Sequence, residues 1–128
     1  MKDETKPQDI RERTFNFAVE IIKFCGELPK NDVNRILIRQ VIRSGTSIGA
    51  NLEEAQGANT RPEFTNCTNI AKKEARETNY WLRLIAESNN QLAKQKIERL
   101  IKESEEISKI LTTIVKKLKN RNDLKLNP

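Results

Sequence analysis

One stretch limits what this chain can fold into: Arg43-Ser44-Gly45-Thr46-Ser47-Ile48-Gly49-Ala50-Asn51-Leu52-Glu53-Glu54-Ala55. Ile38, Val41, Gly45, Ile48, Leu52 and Ala55 recur at spacings of three and four, the stripe of a helix that faces another helix. Two glycines inside a helix cost about 1 kcal/mol each relative to alanine. Such residues are kept where a second backbone must come close. The sequence therefore predicts the tightest helix–helix crossing at Gly45 and Gly49. The alternative is a loop at Ser44–Ser47 that splits the segment, but the apolar spacing stays in phase across it.

The same spacing recurs along the chain. Ile10, Thr14, Phe17, Ile21, Phe24 and Leu28 form one stripe, and Phe15, Val19 and Ile22 a second on nearly the opposite side. Gly26 and Pro29 help end this helix, and Asn31 or Asp32 can cap the next. Thr60-Arg61-Pro62-Glu63 is a start signal with a cap, an early proline and a capping-box glutamate. Thr5-Lys6-Pro7-Gln8 has the same form at the first helix. Ser88-Asn89-Asn90 breaks the third, and Leu100, Ser104, Ile107, Leu111, Ile114 and Leu118 line the fourth. Together these predict one all-α domain over 1–128, with helices at about 8–28, 32–57, 61–88 and 92–119 and a disordered tail at 120–128. Short connections make it an antiparallel up-down-up-down four-helix bundle. A chain of 128 residues with 33% charged residues and only four prolines suits that class.

Two details extend the prediction. No member of a single-layer bundle is surrounded, so a first helix apolar on two faces points to an oligomer interface at Phe15, Val19 and Ile22. In the hairpin centred near Asn59, Ala71 and Ala75 oppose the glycine region, and Trp81 lies on the same stripe. That register puts Glu74 in an inward position across from Arg43. An unpaired carboxylate there costs several kcal/mol, so Arg43 or a nearby lysine is predicted to neutralise it.

The formal charge of +6 is uneven: residues 94–128 carry ten positive and five negative side chains, whereas residues 1–60 carry nine of each. Lys102, Lys109 and Lys116 repeat every seven residues, followed by Lys117, Lys119 and Arg121. Arg35 and Arg39 lie one turn apart on the second helix. These eight are candidate nucleic-acid contacts, because arginine and lysine neutralise phosphates. Ion pairs, for the arginines, and a favourable position at the negative pole of a helix, for the lysines, are the other readings.

Several chemistries find no residues to carry them. The chain has no histidine, which removes the usual base of a nucleophilic site and the commonest zinc ligand. Glu53, Glu54, Glu74 and Glu77 sit on facing helices, but di-iron bundles also need Glu-x-x-His pairs. The sequence thus predicts no enzyme, no metal and no cofactor. Cys25 and Cys67 fall on apolar stripes and read as buried thiols. No run is apolar enough for a membrane span, and Met1–Pro7 has no apolar core like that of a signal peptide, so a cytoplasmic protein is expected.

Phe15–Phe24, Leu28-Pro29-Lys30, residues 43–55 as quoted above, Glu63-Phe64 and Lys73-Glu74-Ala75-Arg76-Glu77-Thr78-Asn79-Tyr80-Trp81-Leu82 carry a family resemblance. Over about residues 8–118, in order and spacing, the chain resembles the bacterial four-helix-bundle proteins called 23S ribosomal RNA intervening-sequence proteins. The resemblance implies a ring-like homopentamer and supplies no established catalytic residues to carry over. It extends to the accessory proteins of diversity-generating retroelements, basic proteins that engage nucleic acid and a reverse transcriptase. Two partner classes follow: RNA or another nucleic acid bound through the basic side chains, or a larger protein such as a reverse transcriptase docked on the bundle as a scaffold.

Overall fold

In the computed structural model, residues 7–90 and 94–126 are described, with side chains over 10–90 and 94–121. Four helices account for them: α1 Pro7–Glu27, α2 Asp32–Gln56, α3 Arg61–Ser88 and α4 Lys94–Leu126. Among the described residues there is no strand, as the all-α prediction requires. Thr5 and the start predicted for α4 at residue 92 lie outside the described residues. At its other end α4 is longer than expected. It runs to Leu126 rather than stopping at Lys119, so helix replaces most of the tail predicted to be disordered. No proline or glycine occurs between Gly57 and that end except Pro62, so nothing in the sequence forces an earlier stop.

Local chemistry sets the other boundaries. Asn31 caps α2, its side chain accepting from the Asn34 amide at 2.9 Å. Thr60 caps α3 by accepting from the Glu63 amide at 3.2 Å, and Glu63 reaches back to accept from the Asn59 amide at 2.9 Å. Helix α2 is continuous through Ser44–Ser47, which removes the loop alternative.

Contact registers give the helix directions. Between α1 and α2, Ile21 meets Gly45, Thr14 meets Gly49 and Arg11 pairs with Glu53, so residue numbers fall on one helix as they rise on the other. Asn34 with Asn89 and Ser44 with Thr78 give the same antiparallel sense for α2 and α3. Glu27 with Lys96 and Arg13 with Glu103 give it for α1 and α4. Helix α1 rests mainly on α2, and its contact with α4 is the sparsest of the bundle. Ile21, Val41, Ile48, Leu82, Ile107 and Leu111 are fully buried between the four.

The glycines do not face where the sequence put them. A Cβ on Gly45 would lie 3.3 Å from Ile21 Cγ2, and one on Gly49 would lie 3.4 Å from Thr14 Oγ1. Both neighbours belong to α1, not to the α3 segment of Ala71 and Ala75. Those alanines are fully buried in the core. The small residue that meets α3 is Ser44, whose hydroxyl accepts from Thr78 at 2.9 Å. Heptad-like spacing locates a buried stripe, but it does not say which neighbour each half of the stripe touches.

The two glycines differ in consequence. Gly49 has room for a methyl group at ordinary contact distance, whereas Gly45 is closed by a branched, buried side chain. Gly49→Ala should therefore raise the melting temperature, by up to the full propensity gain of about 1 kcal/mol. Gly45→Ala should gain nothing or lose stability, because Ile21 must move. Thermal unfolding at fixed protein concentration checks this. A destabilised Gly49→Ala would show that the α1–α2 crossing is tighter than these distances.

Candidate nucleic-acid and protein-binding surfaces

The basic side chains divide between two places. Arg35 and Arg39 are exposed on α2, one turn apart and close to the α1–α2 connection. Lys102, Lys109, Lys116, Lys117, Lys119 and Arg121 are exposed on α4. Ile114 shares a small cavity with Ile10, Leu52 and Phe64, so the cationic part of α4 begins at the level of Leu52. Arg39 lies thirteen residues from Leu52, roughly 20 Å along the helix. Helices α2 and α4 also make no backbone contact among the described residues. The eight candidate residues therefore do not form one surface.

The α4 set is itself uneven. Glu98, Glu105 and Glu106 are exposed close to Lys102 in sequence, which dilutes its field. Between Glu106 and Asp123 the sequence has no carboxylate. Lys109, Lys116, Lys117, Lys119 and Arg121 occupy that interval, and none has an ion-pair partner among the described residues. Several cations elsewhere are held by specific carboxylates. Arg11 grips Glu53 at 3.1 Å, Arg13 grips Glu103 at 2.7 Å, and Lys96 reaches Glu27 at 2.9 Å.

Arg43 is such a held cation. Its Nη1 lies 3.4 Å from Glu74 Oε2, the carboxylate assigned to it from the sequence, and its Nη2 lies 2.5 Å from Glu77 Oε1. Glu77 also accepts from Trp81 Nε1 at 3.3 Å. Trp81 is half-buried, and Tyr80, 49% exposed, packs edge-on against it with ring centres 5.2 Å apart. The two carboxylates respond in opposite ways. The Arg43 hydrogen bond holds Glu77 below the usual carboxylate range. Burial, helped by the Glu77 charge, holds Glu74 above it despite Arg43.

A second surface is apolar. Phe15 is 67% exposed and Ile22 50%, with Val19 half-buried between them on α1. Beside Ile22, Cys25, Ile38 and Ile42 line an open groove between α1 and α2 of about 690 Å³. Cys25 is buried, and that burial pushes its thiol up to about 11, whereas Cys67 is only half-buried. Among the described residues no helix is long and apolar enough to cross a membrane, and no three metal-ligating side chains cluster.

Comparison with known proteins bears on this arrangement. The family model for 23S rRNA-intervening sequence proteins matches residues 6–113. The chain belongs to the 23S rRNA-intervening sequence protein family. A solved structure from Bacteroides thetaiotaomicron VPI-5482, a protein of unknown function from the S23 ribosomal protein family, is 38% identical. The match covers 86% of this chain and 97% of that one, with a TM-score of 0.77. No curated protein matches.

The span shared with the intervening-sequence family includes both glycines, the Arg43–Glu74–Glu77 cluster and the whole α1–α2 face. It ends at Thr113, before Lys116, Lys117, Lys119 and Arg121. Of the acid-free cations, Lys109 is inside the family match and the other four are outside it, and the apolar face is inside it.

The carboxylate cluster yields a pH test. Glu77, with its pKa lowered in the fold, contributes stability above its unfolded value near 4.5 and loses it as pH falls through the lower folded value. Glu74, with its pKa raised, favours the fold when protonated, and that contribution is lost as pH rises through its raised value. At pH 7, Glu77→Gln should lower the melting temperature by a few degrees, while Glu74→Gln should leave it unchanged or raise it slightly. The Glu77→Gln difference should shrink as pH falls and disappear only below the lowered folded value of Glu77. A larger loss for Glu74→Gln at pH 7 would reverse the assignment.

Proposed function

We propose that this chain is a non-enzymatic, cytoplasmic, self-assembling bundle that binds RNA through phosphate contacts at the C-terminal part of α4. The observation that carries the reading is the acid-free run of exposed cations at Lys109, Lys116, Lys117, Lys119 and Arg121. A polyanion gains from each such charge by releasing condensed counterions, and no internal carboxylate has to be displaced first. Base readout is minor here. Tyr80 and Trp81 are on α3, Trp81 is tied to Glu77, and no aromatic residue lies among these cations. The contacts position a duplex or loop without reading its sequence.

Self-assembly rests on the exposed apolar stripe of α1. Phe15, Val19 and Ile22 continue one face that the chain itself leaves uncovered, and a homopentamer is the assembly proposed for it. The same face supports a second reading, a scaffold that docks a larger protein such as a reverse transcriptase. Light scattering should give a mass near five times 14.8 kDa. Phe15→Asp with Val19→Asp should reduce it to one chain without loss of helix. A monomeric wild type would rule the oligomer out.

RNA binding is tested by fluorescence anisotropy with a structured ribosomal RNA fragment across a salt series. Wild type should bind at micromolar concentration or tighter. Changing Lys116, Lys117, Lys119 and Arg121 to Gln should reduce the slope of log K against log salt by up to about 3, at roughly 0.7–0.9 for each phosphate no longer neutralised. Changing Arg35 and Arg39 should leave the slope nearly unaltered. Absence of binding near physiological salt would overturn the RNA reading.

A further inference from the structure

The α1–α2 groove has a composition that RNA binding does not use, and of its lining only Ile22 belongs to the α1 stripe of Phe15, Val19 and Ile22. Its floor is Ile22 and Cys25 from α1 with Ile38 and Ile42 from α2. Its walls carry Lys30, Arg35, Arg39 and Arg43, and no carboxylate lines it. Arg43 is committed to Glu74 and Glu77. Arg35 has only an exposed contact with Asp32 at 3.1 Å, a pair of the kind that contributes little. Lys30 and Arg39 have no ion-pair partner among the described residues. An apolar trough edged by uncommitted cations is thus built into the bundle.

We propose that this groove takes an acidic amphipathic helix from another protein. Such a helix would lay its leucine or isoleucine stripe on Ile22, Cys25, Ile38 and Ile42, the helix-in-groove mode of recognition. Arg35 and Arg39 stand four residues apart, about 6 Å along α2. Glutamates at i and i+4 of an incoming helix repeat at the same distance, so two carboxylates meet two guanidinium groups in register. Arginine forks pair with carboxylates through two oxygens.

Two other occupants fit the groove less well. Nucleic acid would place bases on an aliphatic floor, because no aromatic side chain lines the groove for stacking. A second copy lacks the matching charge pattern. Nowhere in this sequence do two carboxylate residues stand four apart. Exposed Glu98 and Glu105 are separated by Lys102, and exposed Glu87 follows Arg83 by one turn. The proposal is independent of the RNA reading, whose residues lie on α4.

The test uses the full-length protein and a fluorescein-labelled 18-residue peptide probe. The peptide has leucines at i, i+3, i+4 and i+7 and glutamates four residues apart on the flank. Its controls are a scrambled version and one with lysine at every glutamate. Wild type should bind the acidic helix saturably in the micromolar range and bind neither control. Arg39→Glu, with helix content verified by circular dichroism, should weaken binding about tenfold, as loss of a close charge pair does. Ile38→Asp should do the same, while Lys116→Gln should have no effect. Equal binding of the lysine peptide, or unchanged binding by Arg39→Glu, would overturn the proposal. So would displacement of the peptide by the ribosomal RNA fragment from the Lys116→Gln variant. A fall in the mass of the assembly on Arg39→Glu would assign the groove to a second copy instead, and would also overturn it.

Discussion

The fold depends on how closely α1 can lie on α2. Gly45 lets Ile21 sink against the α2 backbone, where a methyl group would already press on it at 3.3 Å. Interiors are packed at crystal-like density, so this one contact sets the spacing of the pair. Most of what α1 gains comes from that side, since its contact with α4 is sparser. The result is a helix well buried along Ile10, Phe17 and Ile21 and bare along Phe15 and Ile22. The exposed face and the groove beside it follow from the same close approach.

Charge is arranged by the same economy of partners. Where helices meet, three arginines are each held by a carboxylate: Arg11 with Glu53, Arg13 with Glu103, Arg43 with Glu74 and Glu77. These pairs tie the helices at defined registers, although the more exposed ones add little energy. The net positive charge then collects where no helix faces another, on α4 beyond Glu106. Surplus charge on an uncovered surface is available to a partner, whereas charge in a pair must first be released.

Helix number, type and most boundaries were legible because each rests on local signals, such as the Asn31 and Thr60 caps. The stripe through Gly45 and the pairing of Arg43 with Glu74 were legible for a similar reason, as periodicity and hairpin register place them. What the glycines touch was not, because a stripe about 100° wide meets two neighbours and spacing alone cannot apportion it. Asn34 and Asn89 show another limit. They exchange amide hydrogen bonds at 2.9 and 3.0 Å and also bond the Pro29 and Ile85 carbonyls, locking two connections together. Residues 55 positions apart, one in the first turn of α2 and one capping the end of α3, give no periodic signal. The extension of α4 to Leu126 was not legible because a polar, lysine-rich end carries no apolar stripe, yet lysine and leucine are good helix formers. The groove was invisible for the same reason as the glycine contacts: it needs the α1–α2 register, not the sequence of either helix.

Division of labour between two surfaces is the central claim, and lysine acetylation read by mass spectrometry tests it most directly. The protein is treated with an acetylating reagent with and without saturating ribosomal RNA fragment. Protection confined to Lys109, Lys116, Lys117 and Lys119, with Lys30 and Lys102 equally reactive in both states, is the predicted result. Protection of Lys30, or none on α4, would contradict the separation of a polyanion-binding end from a protein-binding groove.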